Sequence, residues 1–396
     1  MSAVASPVRS LYAYPWDVAA RGAREFASQV REFGLDGVTL ALSYHAGKFV
    51  SPHHPGRRVV FPEDGATYFA PDPHGYGEIA PFAHSDPALL RIAADLAEDG
   101  RIAVRAWTVL LHNSRLGERH PRHVARNAWG DPYVYSLCPS SPAVFDYAVA
   151  LSADVARQPV RGLVLETPNW LPYAHGYHHE FAQVRGNLWL DTLLGLCFCA
   201  DCRRLAIAAD LDADALAARV RLRVDAYLGA PIDASPDQAA SWLMADLLDM
   251  PQLAAYLKLR QRRVAELVAA IRAEVPRDRE VVVIPTVQRP TASAWLEGSQ
   301  LAALAQAADA IEVPLYEPNA ARVAADAFDT VQRVGAAGRV RAILRPGPPD
   351  LGDGHELEAA LHAVKAAGIA DISFYNYGLL RPDRLRALGR TLRRCD

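Results

Sequence analysis

Short apolar, β-branched runs recur along the chain, each followed by a polar or aromatic loop and then by an amphipathic helical pattern. The runs lie at 9–16, 36–45, 102–113, 161–170, 280–288, 309–319, 339–347 and 371–378. Apolar residues at helical spacing mark segments such as 20–33, 86–99, 141–157, 297–308, 356–368 and 382–394. Such alternation requires parallel strands with helices covering the sheet. Eight strands close a (β/α)8 barrel, so the predicted fold is a TIM barrel forming a single domain over 1–396. An open doubly wound sheet is the alternative. No G-x-G-x-x-G follows the first strand, so neither a dinucleotide site nor any organic cofactor is predicted.

Two connections are too long to be plain loops of such a barrel. Residues 46–85 follow strand two and are rich in Pro, Gly, His and aromatics, which marks a functional loop rather than disorder. Residues 171–278 follow strand four. They begin with a cysteine-rich segment and continue as long helical patterns, read as a helical insertion.

Composition excludes several classes. The net charge of −3 offers no general field for nucleic acid or an anionic membrane. There is no long apolar stretch and no signal-like h-region, so the expectation is a cytoplasmic protein, compatible with a homo-oligomer. No G-x-S-x-G elbow or P-loop is present.

In a reducing compartment clustered cysteines point to a metal rather than to disulfides. Cys197, Cys199 and Cys202 form C-x-C-x2-C, and Cys138 lies after strand three, on a loop at the same rim. Four thiolates around Zn2+ leave no open position for water. The predicted zinc is therefore structural, pinning the loop after strand four to the loop after strand three. Cys395, at the chain end, is the weaker fourth ligand.

Barrel chemistry is built at the C-terminal strand ends. Glu166 ends strand four and shares its side with Val164, opposite Leu163 and Leu165, so it should face the lumen as a general acid/base. Its partner would be a second carboxylate. Glu312 has lumenal parity with Pro314 and Tyr316, Glu317 takes the role if strand six starts late, and Asp350 is a third choice. An ion pair of Glu312 with Arg345 is the competing structural reading. His45, by the parity of Thr39, Ala41 and Ser43, should point to the site. His112, Asn113, Tyr375 and Asn376 sit at strand ends, with Trp107, Trp170 and Tyr316 as stacking surfaces. Such a ring suits a small carbohydrate or glycoside, whose C–H face stacks on aromatic rings while its hydroxyls hydrogen-bond. His53, His54, His175, His178 and His179 lie on loops read as a lid or as subsite walls, with Arg57 and Arg58 available for an acidic group on the ligand.

The segments "CPSSPAVFDY" (138–147) and "CFCADCRRLA" (197–206), with a strand-four Glu between them, resemble the zinc cluster of family 42 β-galactosidases and related barrel glycosidases. The resemblance implies a (β/α)8 barrel, retaining glycoside hydrolysis and an acid/base at Glu166. Two positions depart from that pattern. Leu165 stands where the family has Asn, and strand seven ends with Arg345 in place of the nucleophilic Glu. Hydrolysis through an unusual pair, lyase or isomerase chemistry on a sugar metabolite, and sugar binding without turnover all fit the sequence.

Overall fold

The computed structural model describes residues 8–175 and 183–395. Its centre is a closed barrel of parallel strands: β1 (Arg9–Ala13), β2 (Gly37–Tyr44), β3 (Ala103–Val109), β4 (Gly162–Glu166), β5 (Glu280–Val283), β6 (Ala310–Pro314), β7 (Val340–Leu344) and β8 (Ile372–Phe374). Neighbours pair in sequence order and β1 pairs with both β2 and β8, which closes the ring. Helices α1 (Ala23–Glu32), α2 (Ile92–Asp99), α3 (Pro142–Ala156), α4 (Pro251–Glu274), α5 (Leu301–Ala307), α6 (Ala320–Val334), α7 (Gly354–Ala366) and α8 (Pro382–Arg394) surround it. This is the (β/α)8 architecture that the alternation predicts. No described helix is long and apolar enough to cross a membrane.

The strand alternation sorts side chains into two environments. Leu11, Val38, Leu40, Leu163, Leu165, Ile311 and Val313 are fully buried. Their parity turns them toward the helices, and each such burial contributes about 1.5–3 kcal/mol. The opposite parity fills the lumen with larger and more polar groups, including Tyr12, Trp107 and Glu312. Near the N-terminal strand ends, Arg341 pairs with Glu280 and, at 3.0 Å, with Asp371, while Arg105 reaches Glu280 at 3.5 Å. Ser10 and Thr39 hydroxyls meet at 2.8 Å close by. These groups form a charged floor.

The strands are shorter than the apolar runs because the run ends build the rim. Pro15 opens the helical turn Pro15–Ala19, which lifts Trp16 out of β1 and stacks it on Tyr14 at 4.4 Å. The register between β2 and β3 shifts between Ala41 and Ser43. This bulge overturns the simple parity of strand two: Ser43 bonds the Val109 carbonyl at 2.9 Å, and Tyr44 joins the lumenal aromatics.

Patterning marks two long connections, but the structure has a third. Residues 110–141 contain the helix Ser114–Arg119 and a hairpin of Val124–Arg126 with Pro132–Leu137. Gly117 makes their contact feasible, because a Cβ there would lie 1.7 Å from the Val134 carbonyl oxygen. The insertion after β4 carries helices Leu188–Leu194, Ala200–Ile207, Ala213–Leu228 and Pro236–Asp249 before α4 returns to the barrel. The predicted loop 46–85 lays its short strand Ala66–Thr67 antiparallel to the end of β2.

Candidate active site at the barrel mouth

Glu166 is the last residue of β4 and the one residue of that strand with partial exposure. Its carboxylate accepts a hydrogen bond from the indole N–H of Trp107, the neighbouring lumenal residue on β3. Desolvation pushes the Glu166 carboxyl up to about 7, with the Trp107 donor offsetting part of the rise. The carboxyl group is thus poised to hold or release a proton near neutral pH. The backbone turns sharply just beyond it. Thr167 adopts φ +53°, a left-handed conformation that is costly for a β-branched residue and that takes the chain off the strand.

A shell of tyrosines encloses this group. Tyr12 packs edge-on to Trp107 at 5.1 Å, Tyr44 at 4.9 Å and Tyr375 at 5.9 Å. The Tyr14 hydroxyl meets those of Tyr44 and Tyr375, each at 3.1 Å. Burial raises the pKa of Tyr12, Tyr44, Tyr316 and Tyr375, and the Glu166 charge adds to the rise for all four. They stay protonated, as hydroxyl donors. Tyr316, just beyond β6, packs against Tyr375 at 5.6 Å and lies under the Arg345 guanidinium at 4.7 Å. Arg345 pairs with Asp350, and Asp350 also receives Arg289 at 3.2 Å.

The structure therefore brings Glu166, Trp107, Tyr316, Tyr375 and Arg345 together. His45 is beside them, stacked between Tyr44 at 4.3 Å and His112 at 4.0 Å, with its Nδ1 donating to the Ala46 carbonyl at 2.5 Å. His175 meets the His112 ring at 5.6 Å. His178 and His179 lie outside the described residues.

Other sequence-selected residues are occupied elsewhere. Glu312 lies deeper in the lumen, where the Tyr12 hydroxyl donates to it at 3.2 Å. Burial pushes its carboxyl up, while Ser373, Arg341, Arg105 and Tyr12 pull it down. Its cationic neighbours are those of the floor, and Arg345 is instead the partner of Asp350. Glu317 pairs with Arg322 at 2.5 Å and lines a separate cavity of about 290 Å³ with Asp326 and Asp329. Asn113 caps the helix Ser114–Arg119, accepting from the Leu116 N–H at 2.9 Å. Trp170 is buried beneath the Arg260 guanidinium of α4 at 4.6 Å. Asn376 accepts from the Gly378 N–H at 2.9 Å. Arg58 bonds the His54 carbonyl at 2.5 Å within its own loop. Sequence reasoning missed Tyr44, whose direction depends on the β2 bulge, and Arg289.

The predicted cysteine quartet is assembled. Cys138, Cys197, Cys199 and Cys202 are buried, and their sulfurs all lie within 4.8 Å of one another. Cys138 Sγ is 3.8, 3.6 and 3.5 Å from those of Cys197, Cys199 and Cys202. A tetrahedron with Zn–S bonds of about 2.3 Å has edges of about 3.8 Å, so the quartet fits such an ion. No disulfide joins these residues, and Cys395 stands apart. The cluster is tied in by the hairpin: the Phe198 N–H donates to the Arg126 carbonyl at 2.6 Å, and the Arg126 N–H to Cys197 Sγ at 3.3 Å. Tyr256 on α4 donates to the Cys197 carbonyl at 2.6 Å.

No protein-family model matches the chain, and no curated protein matches it. Among solved structures it is similar to a β-galactosidase from Marinomonas ef1, with TM-score 0.56 and 13% identity, covering 98% of this chain and 59% of that one. It is also similar to α-L-fucosidase isoenzyme 2 from Paenibacillus thiaminolyticus, with TM-score 0.52, 13% identity and coverages of 98% and 49%. A third is an endo-1,4-β-mannanase from Rhizomucor miehei, with TM-score 0.52, 10% identity and coverages of 99% and 95%. The chain thus spans about half to three fifths of the first two and nearly all of the third. At these identities the likeness is one of fold, a (β/α)8 barrel, and the chain also carries a four-cysteine cluster of metal-binding geometry.

Proposed function

We propose that this protein is a cytoplasmic carbohydrate-active enzyme, a glycoside hydrolase using Glu166 as its general acid/base, with the barrel and its insertion acting as one unit. The observation that carries this reading is the Glu166 carboxyl, raised to about 7 at a strand end beneath a Trp107 donor and amid tyrosine hydroxyls. A protonated carboxyl there can donate to a glycosidic oxygen at neutral pH, and the aromatic wall supplies stacking for a sugar ring. Arg345 in the expected nucleophile position sets the chain apart from a plain family 42 β-galactosidase. Glu312 is the counterpart we favour over Glu317, acting through the Tyr12 hydroxyl that it holds; Glu317 is engaged with Arg322.

The cysteine quartet is proposed to hold a structural Zn2+. Four thiolates complete its coordination, so it would rigidify the loops beside the mouth and supply no reacting group.

A second reading rests on the surroundings of Glu166, which are tyrosine hydroxyls and a guanidinium rather than a second carboxylate. In a lyase or isomerase, Glu166 and Tyr375 would shuttle protons without a covalent intermediate. The deciding experiment is a screen of aryl glycosides and oligosaccharides with the wild-type protein and E166Q. Products that carry added water, with turnover lost in E166Q, support hydrolysis. Products lacking added water, identified by NMR, would replace it with the second reading, and absence of any turnover would sink both.

A further inference from the structure

Arg345 is the most chemically distinctive group at the barrel mouth. It follows β7 with the lumenal parity of Arg341 and Ile343. Its Nε is committed to Asp350, and its guanidinium carbon lies over the Tyr316 ring, 4.7 Å from the ring centre. Asp350 is itself buried and is shared with Arg289, whose Nη1 also donates to the Tyr316 carbonyl at 2.5 Å. Two guanidinium groups thus surround one carboxylate, leaving an excess of one positive charge. This charge belongs to the same site as Glu166: Tyr316 beneath Arg345 packs on Tyr375 at 5.6 Å, and Tyr375 packs at 5.9 Å on Trp107, whose indole N–H holds the Glu166 carboxylate.

The arrangement is made for an anion. A guanidinium fixed by one edge and seated over an aromatic ring presents its other edge with little loss of side-chain entropy, in the fork geometry that matches a carboxylate. Glu166, with its carboxyl raised to about 7, is about half protonated at neutral pH, so it repels a bound carboxylate less than a fully ionised glutamate would. Arg57 and Arg58, the sequence-level choices for an acidic group, are exposed on the 46–85 loop.

We propose that Arg345 reads a carboxylate on the sugar, so that the substrates are glycosides of a uronic-acid-type sugar rather than of neutral hexoses. The inference rests on the reading of the barrel mouth as a sugar site and specifies its substrate class.

The test is calorimetric titration of the full chain with glucuronate, galacturonate, glucose, galactose and glucose 6-phosphate, repeated on R345M and R345K. Turnover of paired aryl uronides and aryl hexosides is measured alongside. The expected result is that at least one uronate binds tenfold or more tightly than its matching hexose. R345M removes this preference, and R345K, which keeps the charge but not the fork, retains part of it. Equal binding of uronates and hexoses by the wild type overturns the proposal whether or not the variants fold. So do undetectable uronate binding, tighter binding of glucose 6-phosphate, or an undiminished preference in a folded R345M. Uronate binding without turnover of any aryl glycoside would remove hydrolysis and leave the carboxylate assignment standing. Equal turnover of neutral and acidic aryl glycosides would do the reverse.

Discussion

The barrel mouth and the cysteine quartet are both polar clusters at the C-terminal face, and they are built on opposite principles. At the mouth, Glu166 keeps partial exposure, meets one side-chain donor among the described residues and sits among hydroxyls that remain protonated. In the quartet, four buried sulfurs face one another at tetrahedral spacing, with the Arg126 N–H donating to that of Cys197. One cluster leaves bonding capacity for an incoming molecule, and the other directs all of it inward. A concentration of reactive side chains is therefore no guide to chemistry by itself; what separates the two is whether any valence faces the outside.

Four changes would break or sharpen this contrast. The largest effect is expected from E166Q, which should lower turnover by about 10²–10⁴-fold. Metal content and thermal midpoint should stay within error of wild type, because the quartet is a separate structure; parallel kinetics and elemental analysis measure both. The converse is C197S. Zinc should fall from near one per chain toward zero and the midpoint should drop by several degrees, seen in calorimetry and reproduced by chelation of the wild type. An unchanged metal content in C197S would dissolve the contrast.

A smaller change is expected in W107F. Losing the N–H that stabilises the Glu166 carboxylate should raise its pKa further, so the alkaline limb of the pH–rate profile, expected near 7 in wild type, should move upward with at most a tenfold change in rate. A limb that stays in place would remove Glu166 as its origin. The smallest concerns Glu297, fully buried and held up to about 8 by desolvation despite donors from Thr286, Val287 and Asn169. A raised carboxyl contributes stability below its unfolded pKa, near 4.5, and loses it as pH rises through about 8. E297Q should flatten the decline in denaturant midpoint between about pH 4.5 and about pH 8.

The barrel was legible because each strand carries its own signal. Runs such as "GVTLALSY" and "GLVLE" are apolar on both faces, and the sheet buries both. Glu166 stood out for the complementary reason, as a carboxyl terminating such a run. The quartet was legible because three of its cysteines are local. Other features depend on information that patterning does not contain. Parity gives the side of a strand residue but not its depth, so Glu312 was correctly turned inward yet lies toward the Arg105 and Arg341 floor. Register irregularities are equally silent: the bulge after Ala41 exchanges Ser43 for Tyr44. Beyond the strand ends direction is set by loops, so Asn113 became a cap, Trp170 a seat for Arg260 and Glu317 a partner of Arg322. The hairpin in 110–141 leaves no signal in the pattern, because its strands are short and its packing relies on Gly117.

The charged floor has a consequence for traffic. With Arg105, Glu280, Arg341 and Asp371 bound to one another beneath Tyr12 and Glu312, the barrel is a cup rather than a tunnel. Arrival and departure share one doorway, so a product that lingers there obstructs the next substrate. For the glycoside hydrolase proposed above, the expected kinetic signature is competitive inhibition by the released sugar.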